Sequence, residues 1–247
     1  VIITNHARAT VGALTHIKNV WYFTVTAEDG VTTASYTVTV TTAALPTPIK
    51  PAVDNTKPAS DSKPKLPFTD VSTSDWFYSD VMFVYENGLF SGTDSRSFSP
   101  NASMTRAMLV TVLYRLEGEP TVTGRSSFTD VRSGAYYEKS VIWAAANGIV
   151  TGTGSTSFSP DAKVTREQLA AILYRYAQYK KLDTDAGAKL DSFSDAGNVS
   201  GYASEALSWA VSEGLINGAS GRLMPKGDAT RAQVAAILHR FVENVMD

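Results

Sequence analysis

Phe68-Thr-Asp-Val71, Phe128-Thr-Asp-Val131 and Phe193-Ser-Asp-Ala196 open three copies of one unit, and these copies decide the fold. The same marks return in each copy in the same order. An aromatic residue (Trp76, Tyr136, Tyr202) precedes a glycine (Gly88, Gly148, Gly214), and a second glycine follows (Gly92, Gly152, Gly218). An apolar residue two before a proline comes next, as Phe98-Ser-Pro100, Phe158-Ser-Pro160 and Leu223-Met-Pro225. Thr-Arg then stands at Thr105-Arg106, Thr165-Arg166 and Thr230-Arg231, with a further arginine at Arg115, Arg175 and Arg240. Self-similarity at this period marks supersecondary units that bury a common core by packing on one another.

Each unit reads as helix, loop, helix. Val141, Ala144, Ala145 and a stop at Gly148 fit one amphipathic helix. Five residues before that glycine stands Phe83, Trp143 or Trp209, an expected core position. The loop is rich in Gly, Ser, Thr and Asp. The second helix begins at the threonine. Thr165 with Gln168 and Thr230 with Gln233 fit a capping box, whereas Met108 leaves Thr105 without the reciprocal side chain.

Outside the repeats the pattern changes. Residues 20–41 alternate with period two around Asp29-Gly30, Phe23 and Val25 against Thr24 and Thr26, then Tyr36, Val38 and Val40 against threonines. This predicts a β-hairpin, the terminal hairpin of a partial β-sandwich over residues 1–42. Six of the ten prolines fall in residues 43–67, which makes that stretch an extended linker. Repeat 1 then covers 68–120, repeat 2 covers 121–186 and repeat 3 covers 187–247. The longest connection between repeats lies around Tyr179–Leu190.

Composition removes whole classes of function. The 247 residues contain no cysteine, which excludes disulfides, thiolate metal sites and a cysteine nucleophile. His6, His16 and His239 are too scattered to suggest a metal site, and no cofactor is expected. A net charge of −2 gives no sign of a nucleic-acid partner. No membrane span is expected, because no stretch approaches roughly 18 uncharged apolar residues. The chain starts at Val1 with no signal-peptide pattern, so we expect a piece of a longer protein that could carry a catalytic domain upstream.

In three copies, Phe-x-Asp-Val, the aromatic before a helix, Gly-x-x-x-Gly, Phe-x-Pro and Thr-Arg-Ala/Glu-x-Leu resemble S-layer homology domains over about residues 68–243. The hairpin resembles the end of a cadherin-like or immunoglobulin-like sandwich. The S-layer resemblance implies a mainly α fold in which three helix–loop–helix repeats sit in a pseudo-threefold arrangement around a central helical bundle, with grooves between neighbours. It also implies a non-covalent cell-surface anchor. The partner would be the secondary cell wall polysaccharide linked to peptidoglycan, often through a pyruvylated sugar, and the location extracellular, at the cell wall or S-layer.

A pyruvate ketal presents a carboxylate on a sugar ring, and its recognition calls for a cationic fork, backbone donors and a flat apolar face. Arginine supplies two parallel donors at carboxylate spacing. Arg106, Arg166 and Arg231 sit just inside helix N-termini, where free N–H groups also attract anions. They are the candidate ligand-binding residues, together with Trp76, Tyr136 and Tyr202 for the sugar face, Gly92, Gly152 and Gly218 for close backbone approach, and Asp70, Asp130 and Asp195 for hydroxyl groups. On a purely structural reading the arginines would pair with the aspartates and brace the repeats. Arg115, Arg175 and Arg240 are expected to be structural. If the first set serves the ligand, replacing all three by alanine should abolish binding and leave the fold intact.

The family's Thr-Arg-Ala-Glu is Thr-Arg-Ala-Met108, Thr-Arg-Glu-Gln168 and Thr-Arg-Ala-Gln233 here, so the arginine survives in all three copies and the final acid in none. A catalytic role is disfavoured because every candidate carboxylate recurs threefold. The alternative to polysaccharide binding is a self-association module of an S-layer or surface array.

Overall fold

In a computed structural model, the described residues are 10–11, 15–17, 20–26, 33–39, 66–185 and 187–246. They fall into two compact units divided at Asp61 and Ser62. In the first unit, β1 (Thr10–Val11), β2 (Thr15–Ile17), β3 (Val20–Thr26) and β4 (Thr33–Thr39) share one sheet. β3 pairs antiparallel with β4, Phe23 opposite Tyr36 and Val25 opposite Ala34. The expected Asp29-Gly30 turn, most of the proline-rich linker and the remainder of the expected sandwich lie outside the described residues.

Among the described residues the second unit contains six α-helices: α1 (Tyr78–Glu86), α2 (Arg106–Leu116), α3 (Glu138–Ala146), α4 (Arg166–Tyr179), α5 (Ser204–Ser212) and α6 (Arg231–Phe241). It is mainly helical, as the repeats imply. Gly88, Gly148 and Gly214 end the first helix of each repeat with φ of +68°, +69° and +67°, the left-handed turn that glycine makes without strain. Each second helix is capped by its threonine. The reciprocal glutamine contact is present at Thr165 and Thr230 and missing at Thr105.

The helices do not pair within a repeat. α2 packs on α3, α4 on α5, and α6 returns to α1, so every second helix lies against the first helix of the following repeat and the last closes on the first. One aromatic contact recurs at each junction: Tyr114 on Trp143 at 5.6 Å, Tyr174 on Trp209 at 5.5 Å, and His239 stacked on Phe83 at 4.1 Å. Two of the expected core aromatics, Trp143 and Trp209, are buried; Phe83 is half-buried.

The chain preceding the second helices ties the three repeats into a ring. Met104 N–H donates to Ala229 O, Ala229 N–H to Val164 O, and Val164 N–H to Met104 O, each at 2.9 Å. This closed triangle brings the N-termini of α2, α4 and α6 together. Their inward faces, Leu109, Val110 and Leu113, Leu169, Ala170 and Leu173, and Val234, Ala235 and Leu238, are fully buried. They form an apolar centre and recur at the three- and four-residue spacing of one helix face.

Candidate functional site

Arg106, Arg166 and Arg231 each begin a second helix and reach across to the next repeat. Arg106 Nε donates to Phe158 O at 2.9 Å and Nη2 to Thr151 O at 3.0 Å. Arg166 Nε donates to Leu223 O at 2.8 Å. Arg231 Nε donates to Phe98 O and Nη2 to Ser91 O, both at 2.7 Å, which completes the circle. The guanidinium of Arg106 lies 4.8 Å over the Phe158 ring, and that of Arg231 lies 4.6 Å over Phe98. All three are buried, and burial is the main force pulling each guanidinium below its ordinary pKa. The bracing role is therefore real, but backbone carbonyls serve as the partners where aspartates were expected.

The aspartates work inside their own repeats. Phe98 and Ser99 N–H donate to the two oxygens of Asp70, each at 2.8 Å. Phe158 and Ser159 do the same for Asp130 at 2.8 Å, and Leu223 and Met224 for Asp195 at 2.7 and 2.8 Å. Ser99, Ser159 and Met224 have φ of +58°, +57° and +53°, a left-handed backbone that non-glycine residues adopt only when surrounding structure enforces it. Each carboxylate holds that turn. Burial pushes the Asp130 and Asp195 carboxyls up, but their two backbone donors outweigh it and leave both below the ordinary value. None of the three aspartates lines the grooves described next.

Three grooves run between the repeats, built to one plan. Groove A, about 410 Å³, has Arg231, Arg115, Gly92 and Tyr136 in its walls. Groove B, also about 410 Å³, has Arg106, Arg175, Gly152 and Tyr202. Groove C, about 230 Å³, has Arg166, Arg240, Gly218 and Trp76. Each therefore takes one arginine from the preceding repeat, a glycine loop and second helix from its own repeat, and an aromatic from the next. Trp76, Tyr136 and Tyr202 are 64%, 64% and 56% exposed, so they are rim residues. At Gly92, Gly152 and Gly218 a Cβ would meet a backbone carbonyl at 2.3, 2.5 and 2.6 Å, so only glycine lets the loop fold under the groove. Met108, Gln168 and Gln233 line grooves A, B and C, so the missing family acid would have faced each groove.

Sequence reasoning missed Arg115, Arg175 and Arg240 as groove residues. The signal was in the spacing. Nine residues along a helix turn a side chain roughly 180° about the axis. The first arginine thus faces the neighbour's groove and the second faces its own repeat's. Arg115 and Arg240 also donate to Leu89 O and Leu215 O, at 3.1 and 3.2 Å.

No helix among the described residues is long and apolar enough to cross a membrane, and no cluster of His, Asp and Glu among them could hold a metal. Against known families, the chain matches the S-layer homology domain at residues 67–107, 127–170 and 192–235. It is 31% identical over 181 residues to an endoglucanase of Bacillus sp. (strain KSM-635), covering 73% of this chain and 19% of that one. An amylopullulanase of Thermoanaerobacterium thermosulfurigenes is 30% identical over 71% of this chain and 9% of its own length. A surface-layer 125 kDa protein of Lysinibacillus sphaericus is 30% identical over 67% and 14%. The chain thus spans less than a fifth of each of these relatives.

Proposed function

The chain belongs to the S-layer homology family, and from that membership we propose that its grooves bind the secondary cell wall polysaccharide linked to peptidoglycan through a carboxylate-bearing, pyruvylated sugar. Family and relatives make it a cell-wall-associated extracellular module whose coarse function is surface anchoring. One observation carries the finer reading. Every groove is lined by two arginines and by no aspartate or glutamate. Yet residues 68–247 carry 16 basic and 20 acidic side chains, so acid is excluded locally from a surface that is acidic overall.

That arrangement suits a carboxylate on a sugar. The arginine fork takes the two oxygens, the glycine loop brings backbone close, and the rim aromatic offers a face to the ring. Bulk attraction contributes little in a net acidic module, so binding should depend only modestly on ionic strength. The test is co-sedimentation with peptidoglycan sacculi that carry their polymer and with sacculi stripped of it. The protein is expected to pellet with the first and stay in solution with the second. Equal retention on both refutes the reading.

A further inference from the structure

Glu167 is a buried carboxylate that neither the repeat pattern nor the groove plan requires. It follows Arg166 at the start of α4. The equivalent residues are Ala107 and Ala232, so repeat 2 alone carries an acid there. At 3% exposure it accepts from Ser200 N–H at 3.0 Å, Ser200 Oγ at 3.0 Å, Lys226 Nζ at 2.7 Å and Tyr202 Oη at 3.1 Å. Lys226 also reaches Ser200 Oγ.

Tyr202 is the rim aromatic of groove B. It also lines a second hollow of about 210 Å³ beside Tyr174, Gln178 and Glu205, so an untethered ring has room on either side. The hydrogen bond to Glu167 removes that freedom. Burial and then the Glu167 charge push the Tyr202 phenol up to about 12, so it stays protonated and donating. Ala107 and Ala232 hold the equivalent stations in repeats 1 and 3 and offer no carboxylate, and Tyr136 of groove A meets the neutral Thr105 hydroxyl instead. Groove B differs in its second arginine too. Among the described residues Arg115 and Arg240 donate to carbonyls, while Arg175 donates to no protein acceptor and keeps its fork for a ligand.

We propose that Glu167 is a positioning residue that holds Tyr202 at the mouth of groove B, and that this makes groove B the first of the three to fill. The inference rests on the reading that the grooves take a carboxylate-bearing sugar. A ring already fixed loses no rotamer freedom on binding, and an unpartnered guanidinium surrenders no protein hydrogen bond.

The test is a calorimetric titration with a synthetic methyl glycoside of a hexose carrying a pyruvate ketal, the unpyruvylated glycoside serving as control. Fluorescence of Trp76 is followed in parallel, with Trp76→Phe as the reference. Trp76 reports groove C, and subtracting the Trp76→Phe signal removes the contributions of Trp21, Trp143 and Trp209. The first equivalent is expected to bind without a change at Trp76. Glu167→Ala and Tyr202→Phe should each weaken that first site by about three- to tenfold. The double variant should be no weaker than either single one, because both remove the same contact. Glu167→Gln, which keeps an acceptor for the phenol, should recover most of the affinity. Tyr202→Phe removes one hydroxyl of a residue that is 56% exposed and leaves Glu167 its Ser200 and Lys226 donors, so its result stands even where Glu167→Ala lowers stability. Early quenching of Trp76, additive losses, or a first site changed by less than about twofold overturns the proposal. Silence of the wild type towards the pyruvylated glycoside overturns it together with the ligand reading, whereas binding by the wild type with unaffected variants overturns it alone.

Discussion

Arg106→Ala should unfold the ring before it informs on binding. The side chain is 6% exposed, donates to two carbonyls of the next repeat at 2.9 and 3.0 Å, and lies 4.8 Å over Phe158. A hydrogen bond from a charged donor contributes about 1.5–3 kcal/mol, and a buried carbonyl left unpaired costs about 1–3 kcal/mol. The contact with the ring adds about 0.5–2 kcal/mol. These terms overlap, and a loss of about 3–6 kcal/mol follows. In a domain of this size that lowers the melting temperature by about 10–20 °C. Arg106→Lys keeps the charge but not the fork, so it should recover less than half of the loss. Thermal melts followed by circular dichroism measure both. An Arg106→Ala variant melting within about 2 °C of the wild type would refute the bracing role. The expectation that three alanines leave the fold intact therefore does not suit this structure. Arg175→Ala is the cleaner probe of binding, because its guanidinium holds no protein acceptor among the described residues.

Asp130→Asn and Asp195→Asn should flatten the acid side of the stability curve. Both carboxyls lie below their ordinary 3.8 in the folded protein, so their contribution is complete above that value and is lost as pH falls through the depressed one. Each variant should melt lower than the wild type at neutral pH and converge towards it in acid, as a series of melts will show. Gly152→Ala places a Cβ 2.5 and 2.6 Å from two backbone carbonyls and 2.9 Å from Phe128, so urea midpoints should report a loss of at least about 1–3 kcal/mol. Trp143→Phe should cost less than Trp209→Phe under the same assay. The Trp143 Nε1 is buried without a partner, whereas Trp209 Nε1 donates to Asp183 O at 3.3 Å. A larger loss at Trp143 would contradict that difference.

The period of the repeats made the helices legible, because each boundary carries local chemistry. Thr165 and Gln168 announce a cap, and Gly148 announces a stop, from interactions that span four residues or fewer. Tyr202 stands nine residues after Phe193, where Trp76 and Tyr136 stand eight after Phe68 and Phe128, and in this stretch the chain makes short 3-10 turns at Ala196–Asn198 and Gly201–Ala203. The pairing of helices was not legible. Nothing within repeat 1 states that α1 rests on α6 and not on α2, since the amphipathic stripe says which face is buried and not against what. The ligand candidates were legible as residue types but not as roles. A carboxylate accepting two backbone N–H groups and one awaiting a hydroxyl read alike in sequence, so Asp70, Asp130 and Asp195 could not be placed without Phe98, Phe158 and Leu223 beside them. Glu167 was visible only as a departure from alanine.

Exchange between neighbours explains why anchoring and folding are difficult to separate here. A groove takes its floor arginine from one repeat, its loop from a second and its rim aromatic from a third, so no repeat in isolation contains one. The arginine that lines the groove is also the brace that closes the ring, and that brace uses Nε and, in two of the three repeats, one Nη as well. On the proposed function, a ligand carboxylate would approach the remaining nitrogen edge, in concert with Arg115, Arg175 or Arg240 on the opposite wall. Two arginines without a carboxylate between them, one of them buried and braced, then form a site whose charge is partly fixed before any ligand arrives. Its selectivity then comes from geometry, which a module carrying more acid than base could not obtain from its overall field.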